Sequence, residues 1–76
     1  MTKHARLRSD PAICGGKVCV KGTRVTVACL LAALAAGMGV DEVADEFDVH
    51  REDVLAALRY AADHVQEKII PLDHAA

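Results

Sequence analysis

Residues 40–65 read VDEVADEFDVHREDVLAALRYAADHV, and this stretch decides the fold. Val40, Val43, Ala44 and Phe47 recur at three- and four-residue steps, which places them on one face of a short helix. Asp41 is the expected cap, because a carboxylate beside the first free backbone N–H groups satisfies them. Asp48 and Val49 break the period. His50 is a poor cap for a second helix, but Glu52 and Asp53 suit the positive end of a helix dipole. From there an apolar stripe is expected over Val54, Leu58, Ala61, Ala62, Val65 and Ile69. Two helices joined by so short a break share a core, which is helix-turn-helix geometry.

Toward the N-terminus, Val27 to Ala36 is rich in Ala and Leu, both strong helix formers. A helix is predicted from Thr26 or Val27 to Ala36, with Leu30, Leu31 and Leu34 as its apolar face. Gly37 ends it, because the left-handed conformation after a helix costs glycine least. Upstream, Lys17 to Lys21 alternates polar and apolar residues, and Val25 and Val27 repeat the alternation. Short strands are expected near 17–21 and 24–27. Gly15-Gly16 is read as a turn between two β-prone pieces and Gly22-Thr23 as a second turn. Residues 1–9 are expected to be mobile, with Asp10-Pro11 as punctuation. The expected class is mainly α: a homeodomain-like three-helix bundle with a helix-turn-helix, preceded by a short N-terminal β arm or hairpin. One domain spans 10–66, and residues 67–76 form a C-terminal extension in which Pro71 stops the helix.

A chain of 76 residues whose aromatic residues are Phe47 and Tyr60 builds its core from Ala, Val, Leu and Ile. Such a core supplies little area per residue, so homodimerisation is expected on physical grounds. Val18, Val20, Val25 and Val27 serve either that core or a dimer interface, with strand pairing across a dimer axis the preferred reading. Cys14, Cys19 and Cys29 match no metal-ligand spacing and are expected to be reduced thiols. The longest apolar run, Val27 to Ala36, is too short to span a bilayer, and the N-terminus lacks the apolar segment of a secretory signal. A cytoplasmic protein without membrane association, metal or cofactor is expected.

The net charge of −2 conceals a split. Residues 1–27 hold six basic side chains and one acidic, +5; residues 28–76 hold three basic and ten acidic, −7. Two surfaces with different partners are implied. If DNA is bound, Lys17, Lys21 and Arg24 on the arm are the candidates for phosphate contact. His50, Arg51 and Arg59 are the candidates from the helix. The plain alternative for Arg24 is a turn built by Gly22 and Thr23 with the arginine paired to an acidic residue; for Arg51 and Arg59 it is salt bridges to the acidic helices. Val65, Ile69, Ile70 and Leu72 are apolar residues at the C-terminal end, suited to a partner's cleft or to packing on this chain's own helices or its dimer mate. No paired-carboxylate, Ser–His or Cys–His spacing supports catalysis, and Gly16-Lys17-Val18 is not a phosphate loop; no enzyme activity is expected.

The combination Asp10-Pro11, Cys14-Gly15-Gly16-Lys17, Val20-Lys21-Gly22-Thr23-Arg24-Val25, Leu34-Ala35-Ala36-Gly37-Met38, Glu52-Asp53-Val54, Ala56-Ala57-Leu58 and Tyr60-Ala61-Ala62 resembles the family labelled domain of unknown function 433, over about residues 8 to 62. Each fragment alone is weak, and the combination is fairly specific. Many members look like VapB-type antitoxins. The resemblance implies a type II toxin–antitoxin role: neutralising a PIN-like ribonuclease toxin by direct binding, and repressing the shared operon by binding operator DNA. The alternatives are a free-standing DNA-binding transcriptional regulator and a protein-interaction module that never meets DNA. The second helix of the motif departs from the usual DNA-reading pattern. Such a helix usually offers Arg, Lys, Asn or Gln near its start, whereas this one offers Glu52 and Asp53 after His50 and Arg51.

Overall fold

The structure, a computed structural model, describes residues 4–65; of Cys14 only the backbone is described. Two strands, β1 (Leu7–Asp10) and β2 (Ile13–Val20), precede three helices, α1 (Val27–Ala35), α2 (Val40–Phe47) and α3 (Arg51–His64). The strands form a two-stranded antiparallel hairpin. The expected class, a β hairpin ahead of three helices, is what the chain forms.

The strands differ in place from the expectation. Residues 7–9, expected to be mobile, belong to a strand, and Leu7 is buried. The hairpin turn falls at Pro11-Ala12, where the Asp10 carboxylate accepts from the Ala12 N–H at 2.9 Å. Gly15-Gly16 is therefore not the turn. Leu7, Arg8 and Ser9 pair with Val20, Cys19 and Val18, Asp10 pairs with Ile13, and residues 14–17 form an arch with no strand partner across the hairpin. Gly15 and Gly16 carry this arch at φ +65° and +86°, conformations that L side chains avoid. Ser9 Oγ donates to the Gly16 carbonyl and holds it down. Residues 24–27 are not a strand either; they contribute a single bridge between Thr26 and Cys19.

The Gly22-Thr23 turn forms as expected. Gly22 has φ +83°. The Thr23 hydroxyl donates to the Val20 carbonyl at 2.9 Å and accepts from the Val25 N–H at 3.0 Å. Thr26 then caps α1, its hydroxyl accepting from the Cys29 N–H at 3.1 Å. The helix closes at Gly37, φ +105°, with Gly37 N–H on Leu34 O and Met38 N–H on Ala33 O at 3.2 Å. That is the paired-bond ending for which glycine is suited.

For α2 the expected Asp41 cap gives way to Gly39. Glu42 Oε1 accepts from the Gly39 N–H at 2.9 Å, a reach-back that needs the longer glutamate side chain three residues on. Asp41 instead takes Arg51 Nε at 3.1 Å. The far end of α2 repeats the α1 ending, with Val49 N–H on Ala44 O at 3.0 Å, but the left-handed residue is Asp48, φ 55°, ψ 47°. Asp48 is exposed. Replacing it with glycine removes the left-handed penalty of an L side chain and is expected to stabilise the fold by about 0.5–1 kcal/mol, read as a higher urea midpoint.

The core is one cluster: Leu7, Val20, Val27, Leu30, Val43, Ala44, Val54, Ala56 and Ala57, with Phe47, Tyr60 and others packed at its edge. The buried stripe on α3 is narrower than expected. Val54 and Ala57 are fully buried, but Ala62 is exposed, Leu58 is 38% exposed and Val65 67%. A helix that meets β1, α1 and α2 across Asp53, Val54, Ala56 and Ala57 turns residues 58, 62 and 65 away from the core, as the 3.6-residue period requires. Among the described residues no helix is long and apolar enough to cross a membrane.

Candidate binding surfaces

At the start of α3 a groove of about 290 Å³ is lined by Ala5, Arg6, Lys21, Gly22, His50 and Asp53. Three segments supply its walls: the approach to β1, the turn after β2 and the start of α3. Asp53 organises it. Its carboxylate is 5% exposed, accepts from the His50 N–H at 2.9 Å and takes Arg6 Nη1 at 2.9 Å. The capping role that His50 performs poorly is thus supplied by Asp53 reaching back, and the same carboxylate anchors the N-terminal segment to α3. With Asp53 neutralised by Arg6, Lys21 and His50 stand exposed at the rim.

Of the six residues expected to contact DNA, this groove brings together Lys21 and His50. Lys17 lines a different, apolar groove of about 340 Å³, with Val18, Thr26, Val27, Ala28, Leu31, Tyr60 and Ala61. Arg24 and Arg59 are exposed, and Arg51 is engaged by Asp41. Arg6 is the residue that sequence reasoning misses. The alternation Arg6-Leu7-Arg8 carries a strand signal, since Leu7 between two cations is the pattern of one buried face.

Of the four valines expected in the dimer interface, Val20 and Val27 are 3% and 5% exposed in the single chain. Their side chains pack in this chain's own core. Val18 and Val25 are half-buried at the core's edge. Of the residues expected to meet a toxin, Val65 is exposed just past α3, and Ile69, Ile70 and Leu72 lie outside the described residues.

At the other end of α3, His4 Nε2 lies 3.2 Å from Asp63 Oδ2. The His4 ring meets Tyr60 edge-on, with centroids 5.2 Å apart, and His64 lies over Tyr60 at 4.0 Å. The N-terminal segment is thus tied to α3 at both ends, by Arg6 to Asp53 and by His4 to Asp63. Cys19 is buried and Cys29 exposed, both free thiols. Among the described residues no three His, Cys, Asp or Glu side chains are placed to share a metal ion.

The same hairpin and helices occur in known proteins. The family model described as "Protein of unknown function (DUF433)" matches residues 8–61. No curated protein matches. A crystal structure of a DUF433 member protein from Anabaena variabilis ATCC 29413 superposes with a TM-score of 0.72 at 27% identity, over 78% of this chain and 59% of that one. The crystal structure of Rv2018 from Mycobacterium tuberculosis superposes with a TM-score of 0.66 at 32% identity, over 74% of this chain and 26% of that one. This chain therefore spans less than two thirds of either solved relative. With a family model covering most of its length and two solved relatives sharing its fold, the chain belongs to the DUF433 family.

Proposed function

We propose that this chain is a binding protein without catalytic activity, the antitoxin of a type II toxin–antitoxin pair. It acts in the cytoplasm as a homodimer, grips operator DNA through the groove at the start of α3, and covers a PIN-like ribonuclease toxin with its C-terminal end. The observation that carries the DNA part is the convergence of Lys21 and the His50 imidazole on one groove whose buried carboxylate, Asp53, is already paired with Arg6. A lysine at a helix start, with the local carboxylate neutralised, suits a phosphate backbone. The exposed Val65 supports a partner contact running on toward Ile69, Ile70 and Leu72. Occlusion is the mechanism, and no bond is made or broken.

A gel shift or anisotropy titration on the chain's own promoter tests the DNA role. Lys21→Glu is expected to weaken binding by about tenfold or more at low salt and to reduce the slope of log K against log salt by about 0.9, the value of one phosphate contact. Absence of binding at low salt, with or without the partner, ends the DNA reading. Co-expression with the product of the neighbouring gene tests the toxin role: a stable complex and restored growth are expected, and failure of both ends the antitoxin reading.

The runner-up is an interaction module that does not bind DNA. It is favoured by the outward face of α3, where this helix carries the apolar Leu55 and Leu58 beside Glu52, whose carboxylate repels phosphate.

A further inference from the structure

We infer that the outward face of α3 is the seam along which two copies of this chain associate, antiparallel, about a two-fold axis between Leu55 and Leu58. The observation is a second apolar stripe on a helix whose first stripe is already committed to the core. Leu55 is half-buried and is not among the side chains packed on the core cluster. Leu58 is 38% exposed, Ala62 is exposed, and Val65 is 67% exposed. Residues 55, 58 and 62 succeed one another at steps of three and four, the a and d spacing of a coiled-coil seam, which keeps one face toward a partner helix. Val65 lies beyond the reach of an antiparallel partner's α3, which begins at Arg51, and stays outside the seam.

The flanks decide both orientation and occupant. On one side of the stripe stand Glu52 and Arg59, both exposed and a heptad apart. On the other stand Val54, fully buried in this chain's core, and Ala61, against the apolar groove. A parallel partner would set the charged flank of one helix against the core-facing flank of the other. An antiparallel copy sets charged flank against charged flank. With Leu55 layered on the partner's Leu58 and the partner's Leu55 on Leu58, Glu52 falls opposite the partner's Arg59, and Arg59 opposite the partner's Glu52. One two-fold axis satisfies all four contacts at once, as a self-complementary patch must. Ala62 then lies opposite the partner's Arg51, where a methyl group leaves room for the long arginine stem.

The seam deepens the homodimer part of the proposed function and is independent of toxin and DNA. It also accounts for Glu52 at a position where a DNA reader would be cationic. Light scattering or sedimentation equilibrium of the full chain at tens of micromolar is expected to give twice the mass of the 8.1 kDa chain. Leu58→Glu is expected to give the single mass with an unchanged helical circular dichroism spectrum, since Leu58 contributes little to the core. Glu52→Arg and Arg59→Glu are each expected to weaken the dimer by about tenfold, because the axis counts every pair twice. The double variant is expected to restore it. A wild-type chain of single mass overturns both the seam and the homodimer. A wild-type dimer that survives Leu58→Glu, or a double variant no better than its parents, overturns the seam and leaves the homodimer standing.

Discussion

Leu30→Ala is expected to remove about 3 kcal/mol or more of folding stability, within the 2–5 kcal/mol range for deleting a buried leucine side chain. Leu30 is 0% exposed and heads the largest fully buried side chains, ahead of Val43, Val54 and Cys19. The rest of the buried core is mostly valine and alanine, which are too short to fill the hole, and the larger Phe47 and Tyr60 pack at its edge. Collapse of the cavity would require α1 to move against the hairpin, α2 and α3 together. A 76-residue domain holds roughly 4–11 kcal/mol in total at 0.05–0.15 kcal/mol per residue, so the loss is a large share of the whole. The urea midpoint is expected to fall by about 2 M or more with an unchanged slope. Leu58→Ala, on the exposed side of α3, should cost under about 1 kcal/mol in the monomer. A Leu30→Ala midpoint as close to wild type as that of Leu58→Ala would mean the core is centred elsewhere.

Asp53→Ala is expected to cost about 2–3 kcal/mol. The side chain performs two tasks at one buried position. It satisfies the His50 N–H at 2.9 Å, a capping contact of about 1 kcal/mol. It also holds Arg6 at 2.9 Å and so fastens the segment leading into β1 onto α3. The Arg6 side chain is 48% exposed, so solvent screens part of the ion pair, and the larger share of the loss belongs to the cap and to the Arg6 contact as a hydrogen bond to a charged group. Asp53→Asn keeps an oxygen for the His50 N–H and gives up the charge, so about half the loss is expected. Thermal unfolding separates the cases, because 1 kcal/mol shifts the midpoint of a domain this size by about 4–8 °C. Equal midpoints for Asp53→Ala and wild type would mean that neither bond persists in solution. The same variant loosens one wall of the groove at the start of α3, so its promoter affinity should fall alongside its stability.

The helices are legible in the sequence, and of the strands only the hairpin's presence and its stretch near 17–20 are, for a physical reason. Residues 27–36, 40–47 and 51–64 carry their period locally, and every α-helical hydrogen bond joins residues four apart. The hairpin is defined by pairing between separated residues, and its register depends on where the chain turns. Gly15-Gly16 reads as that turn because glycine pairs usually are turns. Here the Asp10 carboxylate closes the turn earlier at Pro11-Ala12, and the glycines serve an arch within β2. Leu7 escapes notice because the Arg6-Leu7-Arg8 alternation is too short to stand as a strand until its pairing with Val20 is known. The candidate site is affected in turn. Lys21 and His50 are visible as polar candidates on the arm and the helix, but Arg6 sits in a segment that reads as mobile. Asp53 shows its charge in the sequence and hides its reach back to His50. Leu58 and Val65 read as core because the sequence holds two overlapping apolar periods on α3. One contains Val54 and Ala57, the other Leu55 and Leu58, and the positions of β1 and α1 separate them.

The arch at residues 14–17 is fastened at both of its feet, by Asp10 against Ile13 and by Ser9 against Val18. Length added between those feet would leave the pairing of Val18, Cys19 and Val20 in step with β1, and each doubling of such a segment costs only about 0.6 kcal/mol in closure entropy. The strand therefore contains its own splice point, where foreign peptide can be carried on the rim of the hairpin while α1, α2 and α3 keep their places.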